Sequence, residues 1–512
     1  MGVTTSSSAR SPLVKTLSGP VRGRQYTLSD GRTVDMYMGI PYAEPPIGKL
    51  RFKKPQPIKS WTEELNCVEF GPRCPQRDEY FAQKEDNCLT LNVFTPRWRY
   101  DTVGSSCFIL FMNLCVKDVV VVSVNYRLGP FGFFTTGDHV CRGNMGLWDQ
   151  TLALHWIHDN VASFGGDPEN VTLFGQSAGG ASADLLAISP HSRGWQILYV
   201  LLFYIISDLF HRLIPMAGCG ECEFAMRTNK SQAKLCREFA RFIGWTGDGK
   251  KISLLENKNS FGGFHSSQSG NLLFVPNFDG DFFPKPMDEL RRESPRKQIM
   301  LGTTQHEGLF FGFKKFCRNI VRECDYGSDT ESVQREIYDF YLKDVNPKDK
   351  KKVSERFVQL LGDYAITAGV MRYVQKMTEY GNEVYFYCFE YYNPDGFGIF
   401  RFLLPFKGAT HCSEVRYILG KGVFSKFKPS NNDLKMLDMM TDFFTNFAKN
   451  GNPNVGRSCS NNKIKWEPYD VTKPYRHLLI QLPAPTMADD YQGRRAKFWE
   501  QITLRNRTKA QL

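Results

Sequence analysis

The chain has 512 residues, 42% of them apolar and 14% aromatic, which supplies a large core and excludes a disordered chain. Its formal net charge is +12, but the positive residues are scattered rather than banked in one segment. Runs such as Lys348-Asp349-Lys350-Lys351-Lys352 read as solvated faces, and without an accompanying motif they give no expectation of nucleic-acid binding.

The N-terminus, Met1-Gly2-Val3-Thr4-Thr5-Ser6-Ser7-Ser8, lacks the apolar stretch of a signal peptide, so a cytoplasmic location is expected. It matches M-G-x-x-x-[ST], which makes Gly2 a candidate for myristoylation and peripheral membrane contact. One acyl chain holds a membrane weakly, so Arg10, Lys15, Arg22 and Arg24 would have to assist. Residues 1–24 are expected to form a flexible tail, 25–503 one large domain, and 504–512 a second tail. Between residues 33 and 61, Gly39, Pro41, Pro45, Pro46, Gly48 and Pro55 exclude a helix and predict an extended, turn-rich segment. Leu89–Phe94 alternates and predicts a strand. Val119–Tyr126 is a β-branched run that fits a buried strand. Residues 144–164 carry an apolar stripe of Leu147, Leu152, Leu154, Ile157 and Val161, the spacing of a helix.

The Asp167-Pro168 turn follows, and then Val171–Phe174, read as a buried strand. It leads into Gly175-Gln176-Ser177-Ala178-Gly179 and a helix over Ala178–Leu186. This is G-x-S-x-G between a strand and a helix, the nucleophile elbow, in which a strained turn exposes the serine hydroxyl. Strand, helix, strand and elbow make a βαβ rhythm, which implies a mainly parallel sheet covered by helices. Further strands are expected at Lys297–Gly302 and Val384–Phe389, and a helix over 433–449 that stops near Asn450-Gly451-Asn452-Pro453. Fourteen cysteines lie along the chain without metal-binding spacing, Cys219 and Cys222 forming a lone C-x-x-C. In a reducing compartment most would be free thiols.

The chain resembles the type-B carboxylesterase and cholinesterase family. The matching residues are Gly39-Ile40-Pro41-Tyr42-Ala43, Cys88–Val93, Asn125-Tyr126-Arg127, Gly143-Asn144, Asp149-Gln150, Phe164–Pro168, Asp279-Gly280 and Asn446-Phe447-Ala448. The resemblance implies an α/β-hydrolase fold: α/β, with a large, mostly parallel central sheet flanked by helices. It implies Ser177 as nucleophile, Glu307 as acid in Gln305-His306-Glu307-Gly308, and His411 as base in the segment Gly408–Glu414. Their order, Ser then Glu then His, is that of these hydrolases. The Ala178 N–H would contribute to the oxyanion hole. Cys74 and Cys88 resemble the ends of the family's first disulfide loop, and Arg127 with Asp167 resembles its structural ion pair. The substrate would be a small-molecule ester, with no cofactor and no metal, and the oligomeric state is left open. Cholinesterases hold choline with a tryptophan in that loop by cation–π attraction. Here it contains Tyr80 and Phe81 and no Trp, which counts against a choline ester.

Two departures stand out. No His-Gly-Gly occurs anywhere, and the interval Arg97–Val116, where the family carries its oxyanion glycine loop, is much shorter than the family's. Loss of that loop predicts impaired turnover, or a relative that binds without catalysing. In addition, Gly194–Ser207 interrupts an otherwise contiguous stretch with an apolar run too short to span a membrane. Together they suggest a flawed or alternative transcript, with one exon segment missing and one intron read through. Gln176 stands where many members carry Glu.

Overall fold

A buried strand can hold a polar residue only if that residue is paired, as the strand over Thr90–Pro96 shows. The computed structural model describes residues 9–28, 31–76, 87–97, 112–193, 208–245, 272–309, 329–396, 402, 404–420, 428–455 and 465–510. Among them every residue of β5 (Thr90–Pro96) is buried. Its Asn92 accepts the Gly39 N–H at 2.9 Å and donates to Ser123 Oγ at 3.0 Å. The neighbouring strands are β1 (Arg10–Lys15), β2 (Pro20–Thr27), β3 (Thr33–Pro41), β4 (Leu65–Asn66) and β6 (Val121–Val124). They pair in the order β1-β2-β3-β5-β6, antiparallel throughout, with β4 running parallel beside β2.

The remaining strands are β7 (Thr172–Gln176), β8 (Arg212–Met216), β9 (Gln298–Thr304), β10 (Glu383–Phe389), β11 (His477–Ile480) and β12 (Thr486–Ala488). These form a second six-stranded sheet in the order β12-β11-β10-β9-β8-β7, parallel except for β11 against β12. The longer helices are α1 (Met145–Asn160), α2 (Ala178–Ile188), α3 (Asn229–Phe242), α4 (Thr330–Leu342), α5 (Lys350–Gly362), α6 (Ala368–Glu379), α7 (Asn431–Asn450) and α8 (Ala496–Ala510). The parallel sheet is the one the βαβ rhythm anticipates. The antiparallel pairing of the N-terminal strands leaves no comparable mark in the sequence.

The chain divides into two compact units. One comprises Met1–Val171, Leu186–Phe210 and Met226–Ser294, the other Thr172–Leu185, His211–Ala225 and Pro295–Leu512. In the first, Ala153, Trp156 and Ile157 of α1 pack with Tyr37, Ile40, Leu91 and Val93 of the antiparallel sheet. Cys74 and Cys88 are joined there as a disulfide. The expected pairing of Arg127 with Asp167 is not formed. Arg127 is buried against Asp149, which accepts from Nη2 at 2.6 Å and from Nε at 2.8 Å. Asp167 stays exposed and accepts the Glu169 N–H of its own turn. A buried guanidinium demands a buried carboxylate, and Asp149 on α1 meets that demand.

In the second unit, α4, α5 and α8 share an apolar cluster of Val333, Ile337, Tyr341, Leu360, Leu361, Trp499 and Ile502. A π-turn, Asp363–Thr367, joins α5 to α6. The buried Asp363 carboxylate accepts from Arg495 Nε at 2.5 Å and from the Tyr341 hydroxyl at 2.8 Å, and Trp499 Nε1 donates to that hydroxyl at 2.8 Å. A capping box of Ser430 and Asp433 starts α7.

The tails are shorter than expected. Residues 10–15 and 20–24 lie in strands, with Val21 buried and the Tyr37 hydroxyl donating to the Pro12 carbonyl at 3.0 Å. At the other end α8 continues through residue 503 to Ala510. No described helix is long and apolar enough to cross a membrane. Gly2, Tyr80, Phe81, the interval 98–111 and the segment 194–207 lie outside the described residues.

Candidate active site

Ligand sites in open α/β sheets gather at the carboxyl ends of parallel strands. β7 ends at Gln176, and Ser177 follows with φ at 59°, a left-handed conformation that costs a non-glycine residue energy. Neighbouring backbone holds it there. The Ser177 N–H donates to the Met216 carbonyl at 2.8 Å, and its own carbonyl accepts the Ala181 N–H at 2.9 Å. Glycine is required on both sides of this contact. A Cβ on Gly175 would lie 2.4 Å from the Gly179 carbonyl, and one on Gly218 would lie 2.2 Å from the Ser177 carbonyl oxygen. Gly179 itself faces open space, so its lack of a side chain matters less than the motif suggests.

The acid and the base arrive on two adjoining loops. After β9 the chain turns at Gln305-His306-Glu307, where the His306 N–H donates to the Ala409 carbonyl at 2.9 Å and His306 bridges to Thr410. That pairing sets Glu307 beside His411. Glu307 Oε1 accepts the Thr304 N–H at 2.6 Å, which fixes the carboxylate, and Oε2 lies 2.6 Å from His411 Nδ1. His411 Nε2 lies 2.8 Å from Ser177 Oγ. A hydroxyl, an imidazole and a carboxylate therefore stand in one hydrogen-bonded line, with Glu307 and His411 buried and Ser177 half-buried. Burial pushes the His411 imidazole down, but the charge of Glu307 and its hydrogen bond outweigh this, and the net direction is up from 6.5. Ala178 is exposed and opens α2, where first-turn N–H groups have no intrahelical acceptor.

The sequence pattern of the carboxylesterase family matches residues 10–499. The chain belongs to that family. It is 44% identical to esterase cest-33 of Caenorhabditis elegans, over 96% of this chain and 94% of that protein. It is 29% identical to a juvenile hormone esterase of Tribolium castaneum (89% and 86% covered) and 28% identical to acetylcholinesterase-1 of Trittame loki (93% and 91%). The family has the α/β-hydrolase fold, and the chain is a carboxylic ester hydrolase. The match to the Caenorhabditis elegans esterase extends over 536 positions, more than the chain's own 512 residues, so that relative carries residues this carboxylesterase lacks.

Other residues touch the line. The Gln176 amide nitrogen lies 3.3 and 3.4 Å from the two ring nitrogens of His411, and its oxygen accepts from Cys412 Sγ at 3.1 Å. Two near-equal distances place the amide against the ring rather than at one lone pair. Glu414 is a role the motif did not reveal. It is fully buried, and among the described residues neither carboxyl oxygen has a hydrogen-bond partner. Burial, then the charge of Glu307, pushes its carboxyl up to about 8. Of two carboxyls sharing the surroundings of one imidazole, only Glu307 reaches it, and burial beside Glu307 favours the uncharged form of Glu414. Its position three residues after His411 was visible in the sequence, but its burial was not.

Proposed function

We propose that this carboxylesterase cleaves esters through an acyl-enzyme formed on Ser177. Ser177 Oγ attacks the ester carbonyl while His411 Nε2 takes its proton. Glu307 holds the Nδ1–H tautomer and balances the imidazolium that forms. His411 then returns the proton to the departing alkoxide, and water hydrolyses the acyl group by the same relay. The Ala178 N–H faces the developing oxyanion. What supports this reading is the unbroken contact from Ser177 Oγ through His411 to Glu307, at 2.8 and 2.6 Å.

The missing His-Gly-Gly-Gly-type loop favours a weaker catalyst. Each lost oxyanion donor costs about 10²–10³ in kcat, so turnover is expected well below that of a complete family member. A fluorophosphonate probe with a p-nitrophenyl ester tests the proposal. Label at Ser177 and slow hydrolysis, both abolished in Ser177→Ala, are the expected result. A folded chain that takes no label and hydrolyses no ester would instead be a relative that binds ligands without turning them over.

A further inference from the structure

Beyond β8 the chain runs through Ala217-Gly218-Cys219-Gly220-Glu221-Cys222. Cys219 and Cys222 are both buried, and their sulfurs are 3.7 Å apart. The Cys222 N–H donates to the Cys219 carbonyl at 3.0 Å, a turn that keeps the two residues facing each other. Each thiol also leans on a neighbouring backbone carbonyl, Cys219 on Gly369 at 3.7 Å and Cys222 on Ile366 at 3.6 Å. A disulfide needs sulfurs about 2.05 Å apart, so the two side chains and the loop that carries them must shift to close the 3.7 Å gap.

The same loop supports the serine. Met216 accepts the Ser177 N–H, and Gly218 lies so close that a methyl there would strike the Ser177 carbonyl. The Gly220 N–H donates to the buried Asp184 of α2 at 2.7 Å. Glu221 pairs with Lys376 of α6 at 2.9 Å, which anchors the far side. The loop that carries the two thiols thus touches Ser177 at one end and α6 at the other.

We propose that Cys219 and Cys222 are a redox-active dithiol whose oxidation to an intramolecular disulfide displaces the Ser177 support loop and lowers ester hydrolysis; the second half rests on Ser177 as the nucleophile. A low-molecular-weight disulfide such as glutathione disulfide is the oxidant. One protein thiolate attacks it, forming a mixed disulfide and releasing one thiol. The second protein thiolate attacks the protein-bound sulfur and releases the other. Two protein thiols lose two electrons and two protons, and the oxidant leaves as two thiols. Burial pushes the Cys219 thiol well above the ordinary range, and the hydrogen bond with Cys222 adds to this, so the thiolate forms only when the loop opens and oxidation is slow.

The test oxidises the full-length protein with glutathione disulfide, caps remaining thiols with N-ethylmaleimide and maps the peptides by mass spectrometry. A Cys219–Cys222 disulfide is expected. With it, fluorophosphonate labelling at Ser177 should slow by about 10²-fold, the scale of a 1 Å misplacement, and recover under dithiothreitol. Cys222→Ser should keep basal labelling and lose the redox response. Capped thiols at both positions after oxidation would overturn the proposal. So would a disulfide without slowed labelling, or an undiminished response in Cys222→Ser. Absence of label in the reduced protein would refute the nucleophile reading alone. The peptide map and amide exchange across residues 213–222 would then still decide whether the dithiol forms and moves the loop.

Discussion

As the proposed base, His411 must be neutral, and its imidazole is pushed up from 6.5 by Glu307. kcat/KM should therefore fall as pH drops through a midpoint above 6.5, which a pH–rate profile with a neutral ester measures. Glu307→Gln removes the carboxylate that raises the midpoint, so the profile should shift to lower pH while the rate falls on the order of 10⁴. Glu414 predicts the opposite kind of pH effect, on stability. Its carboxyl is pushed up to about 8 from an ordinary 4.5, so between those values the folded chain holds a proton that the unfolded chain releases. Stability should fall as pH rises through that window. Glu414→Gln mimics the protonated acid, and Tm measured from pH 5 to 8 should decline less in the variant than in the natural chain. A variant that tracks the natural chain across the window would show that Glu414 is ionised in the fold. Much of this residue-scale chemistry was legible. Ser177, Glu307 and His411 sit in short motifs that the family resemblance, local context and chain order single out, and the fold brings the three into contact. In Gln305-His306-Glu307 the sequence offers two titratable neighbours. His306 turns instead toward Phe406, their rings 5.0 Å apart, and burial pushes it down to about 4. Arg127 was assigned the wrong carboxylate, because an ion pair depends on which side chains the tertiary fold brings close.

At the scale of elements, the elbow is a packing problem between the end of β7, the start of α2 and the loop after β8. Gly218→Ala would force a methyl to within 2.2 Å of the Ser177 carbonyl oxygen and 3.0 Å of its Cα, so Ser177 must move. Ester hydrolysis should drop by about 10²-fold with a measurable loss in Tm. Gly179→Ala is the control. Nothing lies within 4 Å of a Cβ there, and alanine favours a helix by up to about 1 kcal/mol, so Tm should hold or rise. Equal losses from both variants would mean that the elbow is not set by this contact. The strands β5 to β7, β9 and β10 and the helices α1, α2 and α7 were legible from apolar spacing and stop signals, and β3 only as part of an extended, turn-rich segment. β1 and β2 were not. Residues 1–24 read as a flexible tail, and only the pairing of β1 with β2 and of β2 with β3 shows that residues 10–24 belong to a sheet.

For the whole molecule, the decisive question is what the short interval between Pro96 and Lys117 removes. The Caenorhabditis elegans esterase carries residues that this chain lacks, and we propose that they include the oxyanion glycine loop that the family resemblance implies for this interval. Replacing Arg97–Val116 by the corresponding segment of that esterase should raise kcat by about 10²–10³ if an oxyanion donor is what is missing. Unchanged turnover in a folded chimera would place the limitation elsewhere. Sequencing cDNA across this interval and across Gly194–Ser207 should return an intact glycine loop and no apolar insert. The α/β class was legible from the βαβ rhythm. The division into two units was not, because it depends on which segments pack together after the chain has crossed between them several times.

One carboxylate in the second unit has a further consequence. Asp363 receives Arg495 and Tyr341, and Tyr341 receives Trp499, so the last helix is fastened at its root to the π-turn that feeds α6. The next residues along carry the carbonyls of Ile366 and Gly369, on which the two thiols rest. Proteolytic trimming ahead of Arg495 would strip Asp363 of its guanidinium partner and leave the Tyr341 hydroxyl without its indole donor. Slack introduced at the chain's end would thus be felt first at that turn and at the two thiols that rest on it.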